Sequence, residues 1–456
     1  MEKFHNRCNL KLWGGIECTI NRVNDDFLDQ LKYAKHYDRE NDLQLIADLG
    51  IKTLRYPVLW EYHQPEENQE IDWSWSEKQL EFLRSKNIDP IAGLLHHGSG
   101  PAFTNLLDEA FPEKFAAYAK AVATKFPWLE YYTPVNEPLT TARFSGLYGF
   151  WYPHKKNDIS FAKMMINQVR GIVLGMQEIR KINPNAKLVQ TEDLSKTYST
   201  PYLQFQANFE NERRWLTYDL LCGKVVPGHV MWEYFSRLGI SESDLNFFLG
   251  NTCPPDIAGF NYYVTSERFL DEHIKKYPAY TRGGNELQVY ADIEAVRVPH
   301  EQVCGLDILL KEAWERFKIP IAITEAHLNC GREEQVRWLK EIWDTCVKVA
   351  DEGVDIKAVT SWSLLGAYGW NRLLTGKKMQ YEPGAFDVSS GVPRPTALSF
   401  VVKALATEKN YSHPLLLRKG WWHRDVRFIF KKTLSIIHTA EDDENPLLII
   451  GKRGTL

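Results

Sequence analysis

The chain has 456 residues, of which 44% are hydrophobic, 13% aromatic and 25% charged, and its formal net charge is −4. This is the balance of a globular protein long enough for one large domain or two to three smaller ones. The weakly negative charge, without a dense basic run, argues against nucleic acid or an anionic membrane as a partner. No apolar segment approaches the ~20 residues needed to cross a bilayer. Residues 1–7 are polar and lack the apolar core of a signal peptide.

The seven cysteines are scattered and include no CxxC pair. An odd number with such spacing indicates reduced thiols rather than a disulfide framework or a zinc site. We therefore expect a cytoplasmic protein that needs no metal or other cofactor. The cysteines stand at positions 8, 18, 222, 253, 304, 330 and 346.

Short apolar strands alternate with amphipathic helices along most of the chain. A first strand is predicted over residues 12–19, where Gly14 and Gly15 mark a close approach of backbone or ligand. Such alternation indicates a parallel sheet with helices outside it. The later strands are predicted over residues 51–57, 88–96, 129–135, 186–192, 256–263, 319–325 and 355–365. Helices are predicted around residues 43–50, 76–86, 112–126, 161–182, 213–221, 307–317, 333–350 and 395–406.

Eight strand–helix units predict the α/β class and a closed (β/α)8 TIM barrel, which we place over residues 1–410. The alternative is a doubly wound open sheet. That fold normally places a glycine-rich phosphate-binding loop after its first strand, and Gly14–Gly15 is not such a loop. The barrel is therefore the better prediction.

Active sites of such barrels lie at the C-terminal ends of the strands. Each side chain found there has a structural alternative: Arg55 could form a buried ion pair, His96 could be a hydrogen-bonded core histidine, and Trp362 could cap the barrel. Polar groups at the same end of so many apolar strands nevertheless indicate a site. The residues at the predicted ends are Asn21, Arg55, His96, Asn136, Glu137, Glu192, Asn261, Tyr263, Glu325 and Trp362.

Two carboxylates are predicted to face each other across the barrel mouth, Glu137 at the end of strand 4 and Glu325 at the end of strand 7. Glycoside hydrolysis requires such a pair. One carboxyl group holds a proton for the leaving oxygen, while the other stays ionised to attack or stabilise an oxocarbenium-like centre.

These segments resemble glycoside hydrolase family 1, whose members are retaining β-glycosidases on a (β/α)8 barrel. The resemblance extends from about residue 10 to 405, and it is specific because seven segments match in the same order. The matching segments are LWG at 12–14, Arg55, DPI at 89–91 with His96, NEP at 136–138, NYY at 261–263, ITE at 323–325 and WSLL at 362–365.

The resemblance implies roles for the matched residues. Glu137 is similar to the general acid/base and Glu325 to the nucleophile, with carboxyl groups ~5–5.5 Å apart for retention. Arg55 and Tyr263 match residues that bond the nucleophile, and a cationic neighbour is expected to lower its pKa. Asn136 matches the amide that bonds the sugar 2-hydroxyl. The other matched sugar-binding residues are Asn21, His96, Asn261, Trp362 and Trp370.

The chain departs from the family pattern in its sugar-recognition residues. Gly369 stands where members usually carry a glutamate that holds the outer hydroxyls of the sugar. Asn21 replaces a glutamine, His97 replaces a tryptophan, and Ala326–His327 follows the nucleophile in place of Asn-Gly. We therefore expect a retaining β-glycosidase with a carbohydrate substrate and an unusual glycone. Further candidates for the altered sugar site, each with a loop salt bridge as its alternative, are Glu17, Arg143, Glu192, His327 and Arg372.

Two other hypotheses remain open from the sequence. One is a catalytically silent module that binds a sugar or sugar nucleotide and serves a fused reductase. The other is a transglycosidase, which differs only in whether water or a sugar accepts the glycosyl intermediate.

The sequence changes character after residue 410. Residues 411–445 are expected to form an extension that ends in an acidic linker at 441–445. Residues 446–456 resemble the first strand and Gly-x-x-Gly of short-chain reductases that act on sugar nucleotides, such as dTDP-4-dehydrorhamnose reductase. We expect a fusion to such a reductase domain. The residues present would not bind a nucleotide, because no following helix receives the pyrophosphate.

Overall fold

Eight parallel strands form a closed barrel in this computed structural model, which describes residues 10–285, 287–299 and 303–429. Each strand pairs in parallel with both of its neighbours, and β1 closes the barrel against β8. The predicted (β/α)8 fold is therefore confirmed. In chain order the strands are β1 Lys11–Gly15, β2 Thr53–Pro57, β3 Asp89–His96, β4 Tyr131–Asn136, β5 Lys187–Asp193, β6 Ile257–Tyr262, β7 Ile321–Ala326 and β8 Ile356–Ser361.

A layer of helices surrounds the barrel. Each turns an apolar stripe inward, as α7 does with Val336, Leu339 and Trp343 at helical spacing. Asn157 caps the longest of them, α4, by accepting a hydrogen bond from the Ser160 amide at 2.8 Å. The layer comprises α1 Asp42–Ala47, α2 Ser74–Ser85, α3 Phe111–Lys125, α4 Asp158–Ile182, α5 Leu216–Leu221, α6 Leu306–Phe317, α7 Arg332–Asp351 and α8 Ala397–Thr407.

The loops after the strands carry further elements. A hairpin, Ile20–Val23 with Asp26–Asp29, follows β1, and a four-stranded sheet is shared by the loops after β5 and β6. That sheet contains Lys196–Ser199, Glu267–Asp271, Arg282–Gly284 and Val289–Glu294. Additional α-helical segments are Gln30–Tyr33, Trp60–His63, Pro138–Ala142, Gln204–Arg213, Val230–Arg237 and Glu242–Gly250, and Arg143–Leu147 is π-helical.

Side chains fill the barrel, so its interior is a packed core and not a pore. The main core lies between the strands and the helices. A separate apolar cluster occupies the inside of the barrel. The polar side chains of the barrel interior lie at its C-terminal end. That cluster contains Trp13, Ile91, Val189, Ala322 and Ala358, from β1, β3, β5, β7 and β8.

The structure corrects the predicted first strand, which ends at Gly15 rather than at residue 19. The chain leaves the barrel there because the Glu17 carboxylate accepts hydrogen bonds from the Thr19 amide and hydroxyl, at 3.0 and 2.6 Å. Asn21 consequently lies in the hairpin and not at a barrel-strand end. The helix predicted around residues 213–221 begins only at Leu216, and a separate helix, Gln204–Arg213, ends before it.

Residues after α8 run along the outside of the barrel. The Trp422 ring packs on Trp338 of α7 with 5.0 Å between ring centroids, and its indole donates to Glu341 Oε1 at 3.0 Å. The predicted acidic linker and the reductase-like strand over 446–456 lie outside the described residues. Within the described part of the chain, no helix is both long and apolar enough to cross a membrane.

Candidate active site

Glu137 follows the last residue of β4 and turns into the barrel mouth. Its backbone is left-handed, with φ 45° and ψ 62°, a conformation that is uncommon for a residue with a Cβ. Pro138 then begins the short Pro138–Ala142 helix, where its missing N–H costs no hydrogen bond. The Glu137 side chain is buried as a result, with 5% of the residue exposed.

Glu325 lies in β7 and is held by two donors. Arg55 Nη1 lies 2.8 Å from Glu325 Oε1, and the Tyr263 hydroxyl donates to Glu325 Oε2. Arg55 is itself fixed, because Nη1 also donates to the Thr324 carbonyl at 2.8 Å. The expected contacts of Arg55 and Tyr263 with Glu325 are therefore present.

The Asn261 amide lies between the two carboxyl groups. Its Nδ2 donates to Glu137 Oε1 at 2.5 Å, while its Oδ1 accepts from the Thr324 hydroxyl at 2.7 Å. A hydrogen bond from the same side chain lowers the pKa of Glu325. Asn261 was predicted from the sequence as a sugar ligand, and the structure shows that its amide also contacts the carboxyl pair.

The two carboxyl groups differ in their electrostatics. Burial raises the pKa of Glu137 well above its usual value, and the charge of Glu325 raises it further. Burial also raises the pKa of Glu325, whereas Arg55 and the Tyr263 hydrogen bond lower it. Arg55 thus lowers the pKa of Glu325 as expected, but burial raises it by more. The cationic and hydroxyl donors of Glu325 therefore favour a proton on Glu137 over a proton on Glu325.

Every polar atom of the Asn136 side chain has a partner. Oδ1 accepts from Arg55 Nη2 at 2.7 Å and from the Thr191 hydroxyl at 2.8 Å. Nδ2 lies 3.3 Å from His96 Nε2 and 3.1 Å from His97 Nε2. Burial lowers the pKa of both histidines, that of His97 to about 3, so both rings are neutral acceptors at pH 7. In the sequence, His97 was recognised only as a departure from the family pattern. Its position next to His96 at the end of a strand was the available signal.

Trp362 and Glu17 form a wall beside Glu325. The Trp362 ring stacks on His96, with centroids 5.4 Å apart and planes 5° apart, and Arg55 Cζ lies 4.7 Å from the ring centroid. The Trp362 indole donates to Glu17 Oε2 at 3.3 Å. Burial raises the pKa of Glu17, and the charge of Glu325 adds to the increase.

Asn21 contacts the loop after β8, and Trp370 belongs to that loop. Asn21 Nδ2 donates to the Leu374 carbonyl at 3.4 Å. The Trp370 ring lies edge-on to His97, with centroids 5.4 Å apart. Arg372, from the same loop, is exposed. The structure therefore brings Asn21 and Trp370 to the mouth and leaves Arg372 at the surface.

Three other predicted candidates have protein partners. Glu192 points outward, because its Oε1 accepts from the Leu139 amide and the Thr217 hydroxyl of α5, at 2.7 and 2.6 Å. Arg143 donates to the Tyr148 hydroxyl at 3.0 Å. His327 Nε2 lies 3.0 Å from Glu382 Oε2, and its Nδ1 lies 3.1 Å from the Trp362 carbonyl oxygen.

Asp193, which was not predicted from the sequence, ends β5 and interacts with the carboxyl pair. It accepts a hydrogen bond from the Ser266 hydroxyl at 2.5 Å. Burial raises its pKa to about 6, and its charge raises the pKa of Glu137. Because strand side chains alternate between faces, an outward Glu192 implies an inward Asp193, which is the signal that could have found it.

Comparisons with known proteins agree with this geometry. Residues 21–381 match glycosyl hydrolase family 1. An aryl-phospho-beta-D-glucosidase, BglC of Bacillus subtilis, is 22% identical over 391 residues, which span 76% of this chain and 80% of that protein. Beta-glucosidase A of Acetivibrio thermocellus is 22% identical over 403 residues, 79% of this chain and 86% of that protein. The family 1 β-glucosidase of Thermotoga maritima superposes with a TM-score of 0.72 at 17% identity, covering 90% of this chain and 100% of that one. Since the family match spans well over half of the chain, the protein belongs to glycosyl hydrolase family 1.

Proposed function

We propose that this glycoside hydrolase is a retaining β-glycosidase in which Glu137 is the acid/base and Glu325 the nucleophile. The observation that supports this assignment is that two buried carboxyl groups share the Asn261 amide but otherwise have different partners. Glu325 is paired with Arg55 and Tyr263, whereas Glu137 receives a neutral amide donor and has a strongly raised pKa. One group is thus suited to attack as an anion and the other to deliver a proton.

In the first step, Glu325 attacks the anomeric carbon while Glu137 protonates the departing glycosidic oxygen. Attack turns the Glu325 carboxylate into a neutral ester. Because the charge of Glu325 raises the pKa of Glu137, that pKa falls once the ester forms.

In the second step, the lowered pKa lets Glu137 act as a base. It removes a proton from a water molecule that attacks the anomeric carbon, and Glu325 leaves as a carboxylate. Arg55 and Tyr263 stabilise the returning charge at Glu325. The same two carboxyl groups therefore alternate their roles without any other titratable residue.

Substrate contacts belong to this proposal as well. Asn136 is assigned to the 2-hydroxyl, His96 and Asn21 to hydroxyls on the far side of the ring, and Trp362 and Trp370 to the ring wall. Support comes from the burial of Asn136, His96, Asn21 and Trp362 and from the contact of the half-buried Trp370 with His97. A cytoplasmic location is also proposed, supported by the thiol state of buried cysteines such as Cys18 and Cys253.

Activity towards a panel of aryl β-glycosides tests the proposal. Glu325→Gln is expected to lower kcat/KM by about 10³-fold or more, because it removes the nucleophile. Glu137→Ala is expected to lower it ~10²–10⁴-fold for poor leaving groups and less for activated ones, which need no proton. Glu130→Gln, at an exposed glutamate just before β4, is the matched control and should retain activity. The proposal fails if no glycoside in the panel is hydrolysed faster by the wild type than by either variant.

A further inference from the structure

We propose that Asp193 is a positioning residue of this reaction that acts on both proposed catalytic glutamates. It holds Tyr263 in place through the Ser266 hydroxyl, and it keeps a negative charge near Glu137. This inference rests on the proposed function and adds a third carboxyl group to the same site. Asp193 needs no contact with the substrate, because it acts through the residues that it positions.

Asp193 lies at the C-terminal end of β5, next to the residue that bonds the proposed acid/base. In the register of the barrel its partner on β6 is Asn261, and the Leu194 amide donates to the Asn261 carbonyl at 2.8 Å. The Asn261 side chain donates to Glu137 Oε1 at 2.5 Å. Glu192 points outward to α5, and alternation along the strand turns the Asp193 side chain towards the barrel interior. Asp193 therefore faces the same space as the carboxyl pair.

A chain of hydrogen bonds leads from Asp193 to the proposed nucleophile. The Ser266 hydroxyl donates to Asp193 Oδ1 at 2.5 Å and accepts from the Tyr263 amide at 3.0 Å. The Ser266 amide donates to the Tyr263 carbonyl at 3.0 Å, which closes a tight turn over residues 263–266. The Tyr263 hydroxyl then donates to Glu325 Oε2. Asp193 thus fixes the turn from which Tyr263 reaches Glu325.

The Asp193 carboxyl group lies among charges of both signs. Burial raises its pKa to about 6, while its hydrogen bond and the charges of Arg143 and Arg268 lower it. Neither arginine forms a direct ion pair with Asp193 within the described residues, and their side chains bond Tyr148 and Asp292 instead. At neutral pH, Asp193 is therefore mainly an anion without a directly paired cation. The titratable and charged groups that face it are Arg143 on the π-helical segment, Arg268 on the strand Glu267–Asp271, Glu192 on the same strand, Glu137 after β4 and Glu325 on β7.

The charge of Asp193 persists through both steps of the reaction, whereas that of Glu325 does not. Beyond burial, the charges of Glu325 and Asp193 both raise the pKa of Glu137. Attack converts Glu325 into a neutral ester, and the charge of Asp193 remains. In the second step Asp193 therefore helps to keep Glu137 basic enough to take a proton from water, since a general base works best with a pKa near the operating pH.

Asp193→Asn removes the charge and keeps an oxygen that accepts from Ser266. Loss of a nearby negative charge lowers the pKa of Glu137, so we expect the basic limb of the pH profile of kcat/KM to move to lower pH. At a fixed pH on the basic side, the rate should fall by about tenfold for each pH unit that the limb moves. Glu130→Gln removes an exposed carboxyl group just before β4 and should leave the limb in place. A basic limb at the same pH in the wild type and in Asp193→Asn would overturn the electrostatic role.

Ser266→Ala breaks the hydrogen-bond chain and leaves the charge of Asp193 in place. The Tyr263 amide loses a buried acceptor, so the turn loosens and the Tyr263 hydroxyl holds Glu325 less firmly. We expect kcat/KM to fall by about 2- to 10-fold, and the acidic limb to move to higher pH while the basic limb stays. Thr265→Ala, at the exposed neighbour in the same turn, should keep the wild-type rate and profile. If Ser266→Ala behaves like Thr265→Ala, the positioning of Tyr263 through Ser266 is wrong.

All profiles are measured on the full chain with the aryl β-glycoside that the wild type hydrolyses fastest, and melting temperatures show whether each variant is folded. If one variant does not fold, the other still decides, because each moves a different limb. Limbs that stay in place in both folded variants refute this inference while the proposed function stands. If the wild type hydrolyses no aryl β-glycoside, the proposed function fails and this inference fails with it.

Discussion

The two proposed catalytic glutamates are both almost completely buried, so what distinguishes them is the set of partners that each one has. Arg55 and Tyr263 favour the charged form of Glu325, and burial opposes them. The Coulombic effect of Glu325 on Glu137 makes the protonation of one depend on the charge of the other. Removing one donor to Glu325 should therefore change the pH profile as well as the rate.

Tyr263→Phe removes the hydroxyl that donates to Glu325 Oε2. A hydrogen bond to the charged form lowers a carboxyl pKa, so its loss raises the pKa of Glu325. Because Glu325 must be ionised to attack, we expect the acidic limb of the pH profile of kcat/KM to move to higher pH. At a fixed pH on the acidic side, the rate should fall by about tenfold for each pH unit that the limb moves.

Tyr262→Phe is the control for this variant, since the Tyr262 hydroxyl donates to Glu267 Oε1 at 2.9 Å and not to Glu325. It should leave the acidic limb in place. If the acidic limb lies at the same pH in both variants, the role given to Tyr263 is wrong.

Among the elements, the short Pro138–Ala142 helix controls how Glu137 enters the mouth. The Glu192 carboxyl binds this helix to α5 through the Leu139 amide and the Thr217 hydroxyl. Burial raises the pKa of Glu192 to about 8, so it is mainly neutral at pH 7. Its role in the structure is to position the helix and not to carry charge.

Exchanges of Glu192 distinguish these two roles. Glu192→Gln retains a neutral oxygen acceptor, and we expect kcat to stay within about twofold of the wild type. Glu192→Ala leaves the Leu139 amide unpaired and loosens the start of the helix, so kcat should fall about 10- to 100-fold, together with the melting temperature. Steady-state kinetics and thermal unfolding measure both. An equal loss in Glu192→Gln would show that the carboxyl group itself is required.

Hydrophobic periodicity predicted the barrel strands well, since it located each of them to within a few residues. It failed where a polar side chain redirects the backbone. Glu17 ends β1 early and moves Asn21 into a hairpin. It also did not distinguish Glu192 from Asp193, because the face of a strand residue depends on a register that the whole barrel sets.

At the scale of the whole molecule, alternating strands and helices were sufficient to predict a closed barrel with its site at the C-terminal end. The loop of residues 366–380 was not predictable in this way. Its conformation depends on Trp151 and Asn21, more than 200 and 300 residues away in the chain. The resemblance marked Gly369 as a missing polar group. The folded structure was needed to show that Met379 packs against Gly369 and that Asn21 Oδ1 and Trp370 Nε1 have no partner among the described residues.

Covalent trapping shows directly which residue forms the glycosyl ester. The full chain is incubated with a panel of activated 2-deoxy-2-fluoro glycosides, which slow the second step, and is analysed by intact mass and peptide mapping. We predict one added glycosyl group on the peptide that contains Glu325, and no addition to Glu325→Gln. A label on another residue, or rapid turnover of unmodified glycosides with no trapped ester from any member of the panel, would contradict the assignment of Glu325 as the nucleophile.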